Sequence, residues 1–98
     1  MVVLASSKSA AQLFHPAFAR ALEGILKDNG LHGEEGTFIG AKQGALTGSI
    51  FSEVPTILVE MVFLTNQRDA DWIRRDSNKT VMAQALATGV RAIFDARR

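Results

Sequence analysis

No cysteine occurs in this chain, so disulfides, thiolate catalysis and cysteine-ligated zinc are excluded. Long apolar runs are missing as well. The longest uninterrupted one falls far short of the ~20 residues that span a bilayer. The opening Met1-Val2-Val3-Leu4-Ala5 has no basic n-region and is too short for a secretory leader; it reads as the tail of a strand whose beginning lies outside this sequence. Net charge is scarce too: at +1 it leaves no electrostatic footprint for nucleic acid or an anionic membrane. The basic pairs Arg74-Arg75 and Arg97-Arg98 are isolated and read as solvated helix ends. No repeat, low-complexity stretch or linker divides the chain, and the compartment stays open.

What is present suits one small globular domain. The 98 residues, 47% apolar and 21% charged, argue against disorder and allow a core. A chain this short buries a smaller share of its surface than a full-sized domain.

The pattern predicts a first helical segment over roughly Ser9 to Asp28, with Phe14, Phe18, Ala21, Leu22 and Ile25 at helical spacing. Proline in a helix interior costs ~3 kcal/mol. The main helix is therefore expected to begin near His15, with Pro16 in its first turn and Asn29-Gly30 as the stop. Leu31 to Gly44, with Gly33, Gly36, Gly40 and Gly44, reads as a long loop holding a short extended piece at Thr37-Phe38-Ile39. Ala45 to Phe51 reads as a second strand or a short helical turn. Asn66 is expected to cap a short helix, with Asp69 at the positive end of its dipole, Ala70 and Ile73 inward and Trp72 partly buried. A last helix is expected from about Asn78 to Ala96, its apolar stripe made of Met82, Leu86, Val90, Ile93 and Phe94. Gly89 inside it costs about 1 kcal/mol relative to Ala, which a close helix–sheet contact would justify.

Between these helices runs Val54-Pro55-Thr56-Ile57-Leu58-Val59-Glu60-Met61-Val62-Phe63-Leu64. Thr56 to Val59 is rich in β-branched residues and too short for a buried helix, so it reads as a buried strand. Its carboxylate, Glu60, is expensive there: removing a carboxylate from water costs several kcal/mol unless a partner or metal compensates. Either something pairs with Glu60, or it sits at the strand's exit facing a cleft, where open α/β sheets bind ligands. The order of elements predicts an α/β fold, a small sheet packed by amphipathic helices. So few strands leave exposed edges, so residues 1–98 read as a single partial domain, incomplete alone or self-associating across a sheet edge.

Other constellations carry less. His15, His32, Glu34 and Glu35 could in principle ligate a metal, but their spacing matches no zinc motif. His15 reads as a helix-start residue and His32 as a loop residue. Gly36, Gly40 and Gly44 lack the Gly-Lys-Ser/Thr of a phosphate loop and read as turn residues. Ser6-Ser7-Lys8-Ser9 lacks the order of a serine–lysine nucleophile.

The stretch from Val54 to Phe94 resembles the C-terminal part of the zinc-dependent N-acetylmuramoyl-L-alanine amidases. The residues that carry the likeness are Pro55, Leu58-Val59-Glu60, Phe63-Leu64-Thr65-Asn66, Ala83, Gly89-Val90 and Ile93-Phe94. The first helix and its loop fit more loosely. The resemblance implies hydrolysis of the amide between N-acetylmuramic acid and L-alanine in peptidoglycan, hence a cell-envelope setting and a muropeptide partner. It implies a zinc ion held by His, Glu and His. It also implies that Glu60 is the catalytic acid/base, which takes a proton from the attacking water and passes it to the leaving nitrogen. Partial desolvation suits such a shuttle.

Two departures stand out. Val62 occupies a position where the family usually has glycine, and a β-branched residue disfavours positive φ. The His-Gly-Gly and Ser-x-His segments that bring the zinc ligands are absent, so the chain resembles the second half of an amidase domain without its zinc and is expected to be inactive alone. The alternative expectation is a non-catalytic structural or interaction module, a truncated or degenerate relative that self-associates.

Overall fold

A computed structural model describes residues 1–5, 8–33 and 56–96. Along the chain run β1 (Val2–Ala5), α1 (Lys8–Ala21), β2 (Leu31–Gly33), β3 (Ile57–Glu60), α2 (Gln67–Arg74) and α3 (Asp76–Ala96). The three strands form one mixed sheet in the order β2-β1-β3. β1 runs parallel to β2, with Val3 opposite Leu31, and antiparallel to β3, with Val2 opposite Glu60 and Leu4 opposite Leu58. This is the expected small α/β fold. The expectations for Ser6-Ser7, for Glu34 through Pro55 and for Arg97-Arg98 lie outside the described residues.

The core forms where α1 meets the sheet and α3. From α1 come Ala10, Ala11, Phe14, Phe18 and Leu22, one face at helical spacing; Met1 and Val3 come from the sheet side, Met82 and Ala85 from α3. Phe14 and Phe18 stack with ring centroids 5.2 Å apart. Each such fully buried side chain contributes roughly 1.5–3 kcal/mol of transfer free energy.

Four expectations are corrected by this packing. First, α1 does not wait for His15: it starts at Lys8 and carries Pro16 in its interior. Pro16 itself is exposed while Ala10, Ala11 and Phe14 ahead of it are buried, so burial of the first turns offsets the hydrogen bond that Pro16 cannot donate. Second, α1 ends at Ala21 rather than Asp28. Gly24 adopts φ +78°, a left-handed conformation, and breaks the ladder, while Leu22 and Leu26 stay buried on either side of the turn.

Third, Leu31–Gly33 is a strand, not the start of a loop. Its three residues have little strand character of their own; the free edge of β1 supplies the pairing. Fourth, the α3 stripe is rotated from the expected one. Met82, Ala85 and Gly89 are buried, with Leu86 and Ile93 packed at the margin, whereas Val90 and Phe94 point outward. Gly89 serves a close approach between helices, not between helix and sheet: an added Cβ would stand 2.5 Å from Phe14 Cε2. That approach turns the Gly89 side of α3 onto α1 and carries Val90 and Phe94 away from it.

Candidate active site

Glu60 closes β3. Every residue of that strand is half-buried rather than buried, because among the described residues β3 has β1 as its one neighbour and lies at the sheet margin. The Glu60 carboxylate takes part in no ion pair or side-chain hydrogen bond among the described residues. It stands at the carboxyl end of β3, as the sequence implies. Because β1 is antiparallel to β3, that end of the sheet is where β1 and β2 begin. The general preference of ligands for the carboxyl ends of strands therefore applies here to β3 alone.

The chain beyond Glu60 is tied down by α2. Phe63 N–H donates to Asp69 Oδ2 at 3.0 Å, and Asn66 N–H donates to the Phe63 carbonyl at 2.9 Å. Asn66 is the N-cap, its Oδ1 accepting from Asp69 N–H at 3.0 Å. The sequence showed the cap, but not that Asp69 would be buried and reach back to Phe63. A buried carboxylate at a helix N-terminus is satisfied both by the dipole and by backbone N–H groups. The signal was the Asn66-x-x-Asp69 spacing read against a short loop. Val62 keeps an ordinary negative φ and packs against the core, so the valine is accommodated without left-handed backbone. Met61 and Leu64 are exposed and give the strand exit an apolar rim.

The two histidines are engaged elsewhere. His15 lies in the middle of α1, not at its start; its Nε2–H donates to Asp28 Oδ2 at 2.9 Å. Asp28 Oδ1 also accepts from Gly30 N–H at 2.8 Å. Burial acts to raise the Asp28 pKa, but the bonds from His15 and Gly30 outweigh it and hold the carboxyl below its ordinary value. His32 Nε2–H donates to the Asn29 carbonyl at 2.8 Å. A carbonyl only accepts, so this nitrogen carries its proton and is not a metal ligand. Among the described residues no three His, Asp or Glu side chains gather as a metal site, so these residues do not fit the zinc that the resemblance implies. Glu34 and Glu35 lie outside the described residues.

No curated protein and no solved structure matches this chain. The family described as N-acetylmuramoyl-L-alanine amidase matches residues 3–92, which takes in β2, β3, α1, α2 and most of β1 and α3. The chain belongs to that family.

Proposed function

We propose that this chain is the C-terminal part of a peptidoglycan amidase domain and that Glu60 is its general acid/base. The observation that carries the reading is the position of Glu60: a half-buried carboxylate at a strand exit, with no ion-pair partner among the described residues, inside a family match that spans nearly the whole chain. A glutamate kept for scaffolding alone would be expected to hold a guanidinium or a helix N-terminus. The substrate is a muropeptide, cleaved between the lactyl carbonyl of N-acetylmuramic acid and the nitrogen of L-alanine.

In this reaction water attacks the lactyl carbonyl carbon and the C–N bond breaks. The Glu60 carboxylate accepts a proton from the attacking water and returns it to the departing nitrogen, so the amine leaves neutral. Such proton transfer is worth roughly 10²–10⁴ in rate. The zinc of this family activates water and polarises the carbonyl, and we place its ligands on segments carrying His-Gly-Gly and Ser-x-His that this sequence does not contain. The setting of such a substrate is the cell envelope.

The test is to mix this chain with zinc and purified muropeptides. The expected result is neither stoichiometric zinc binding nor release of stem peptide. In a protein that also carries the His-Gly-Gly and Ser-x-His segments, release should occur and Glu60→Gln should abolish it while the zinc content stays unchanged. Turnover by this chain alone that vanished in Glu60→Gln would overturn the half-domain reading. Turnover in the longer protein that survived Glu60→Gln would overturn the role of Glu60.

A further inference from the structure

A second apolar surface lies on α3, turned away from the core. Helix positions three or four apart share a face. Ala83, Ala87, Val90 and Phe94 form one such stripe and all are exposed, Val90 by 45% and Phe94 by 62%. Together with Arg91 and Asp95 along one flank, the last three line a shallow groove.

The two charges on that flank are unusual. Arg91 and Asp95 are four residues apart, a spacing that suits an ion pair within one helix. Neither makes an ion pair among the described residues. Asp95 also sits in the last turn of α3, which holds no basic residue. The helix dipole is negative there, so a carboxylate is disfavoured unless a cation approaches it.

We propose that this face binds a second copy of the same chain, α3 packing antiparallel on the partner's α3 about a two-fold axis. With Val90 opposite the partner's Phe94, the axis sets the charged flank of one helix against the same flank of the other, reversed in direction. Arg91 then stands two residues, about 3 Å along the axis, from the partner's Asp95, within reach of its long side chain. Symmetry repeats the pair with Asp95 and the partner's Arg91. The cation that Asp95 lacks in its own last turn is thereby supplied by the partner. A parallel pairing would instead carry the two charged flanks to opposite sides of the interface, where Arg91 and the partner's Asp95 could not meet. The stripe is short, so the interface falls under the ~1,000 Å² of durable complexes and the dimer is reversible and concentration-dependent. None of this depends on the role of Glu60.

Sedimentation equilibrium of the chain over micromolar to millimolar concentration tests the proposal. The expected result is a monomer–dimer equilibrium that Phe94→Ser weakens by at least about tenfold. Arg91→Glu makes the flank wholly acidic and Asp95→Arg makes it wholly basic; each alone should weaken the homodimer by about tenfold. Mixing these two variants should restore association, since each then faces its complement. All three positions are exposed, and circular dichroism verifies that the variants keep their helices. A chain monomeric at every concentration, as when another part of the same chain covers the face, overturns the proposal. So does a dimer indifferent to Phe94→Ser, or a charge-variant mixture no more associated than its components.

Discussion

Phe14 lies against Gly89 so closely that no side chain fits between α1 and α3 at that point: a Cβ on residue 89 would overlap Cε2 and Cδ2 of the ring, at 2.5 and 2.6 Å. The ring cannot simply swing aside. It is buried and stacked on Phe18, itself fully buried. Gly89→Ala therefore sets two effects against each other. Helix propensity gains about 1 kcal/mol, and overpacking in a filled core costs roughly 1–3 kcal/mol. We expect net destabilisation, read as a lower urea midpoint. Phe14→Leu in the same chain should turn Gly89→Ala from harmful to neutral or better, because the ring it collides with is gone. A midpoint raised by Gly89→Ala alone would show that the helices do not approach as described.

The link between β3 and α2 depends on Asp69. Asn66→Ala removes a cap worth about 1 kcal/mol. Asp69→Ala should cost more, about 1–3 kcal/mol, because it strands the Phe63 N–H. Hydrogen exchange separates the two: the Phe63 amide should lose protection in Asp69→Ala and keep most of it in Asn66→Ala. Equal exchange at Phe63 in both variants would contradict the bond between them.

Stability at low pH should depend on Asp28. Its folded pKa lies below its ordinary value, so the folded state favours the carboxylate. A depressed carboxyl pKa contributes stability above the unfolded pKa, about 3.9, and that stability is lost as pH falls through the folded value. The wild-type chain should thus lose stability more steeply than Asp28→Asn below about pH 4. The comparison needs only urea midpoints at a few acidic pH values. Parallel acid limbs in the two proteins would remove Asp28 from the account.

The elements legible in the sequence are those fixed by neighbours along the chain. Asn66-x-x-Asp69 announces its own cap, and Ile57-Leu58-Val59 announces a strand through its β-branched and apolar character. What escaped depends on residues far apart in sequence. Leu31–Gly33 is a strand because β1 pairs with it, and Pro16 stays inside α1 because the turns before it are buried. The α3 pattern misled for a related reason. That helix has apolar residues on two faces, and periodicity alone cannot say which one meets Phe14. The position of Glu60 at the end of β3 was legible because a charge terminating an apolar strand is conspicuous. Asp69 reaching back to Phe63 was not, since its partner is a backbone N–H with no signature in sequence.

Catalytic and structural roles for Glu60 predict opposite patterns across stability and activity. The carboxylate holds no described partner, so a structural role has little to lose, and Glu60→Gln keeps the shape of the side chain while removing its charge. Substitutions away from packed or paired groups usually stay within about ±0.5 kcal/mol. Relieving a half-buried charge of its desolvation could even stabilise the strand. We therefore expect the urea midpoint of Glu60→Gln to equal or exceed that of the parent chain. In a longer protein that also carries the His-Gly-Gly and Ser-x-His segments, the same substitution should remove roughly 10²-fold or more of the turnover, with muropeptide affinity little changed. Glu60→Asp, which keeps the charge but retracts it by one methylene, should fall between. Were Glu60→Gln instead to lower the urea midpoint by an amount equivalent to several kcal/mol of stability, as breaking a buried ion pair does, Glu60 would be a scaffold residue and its activity loss a consequence of unfolding.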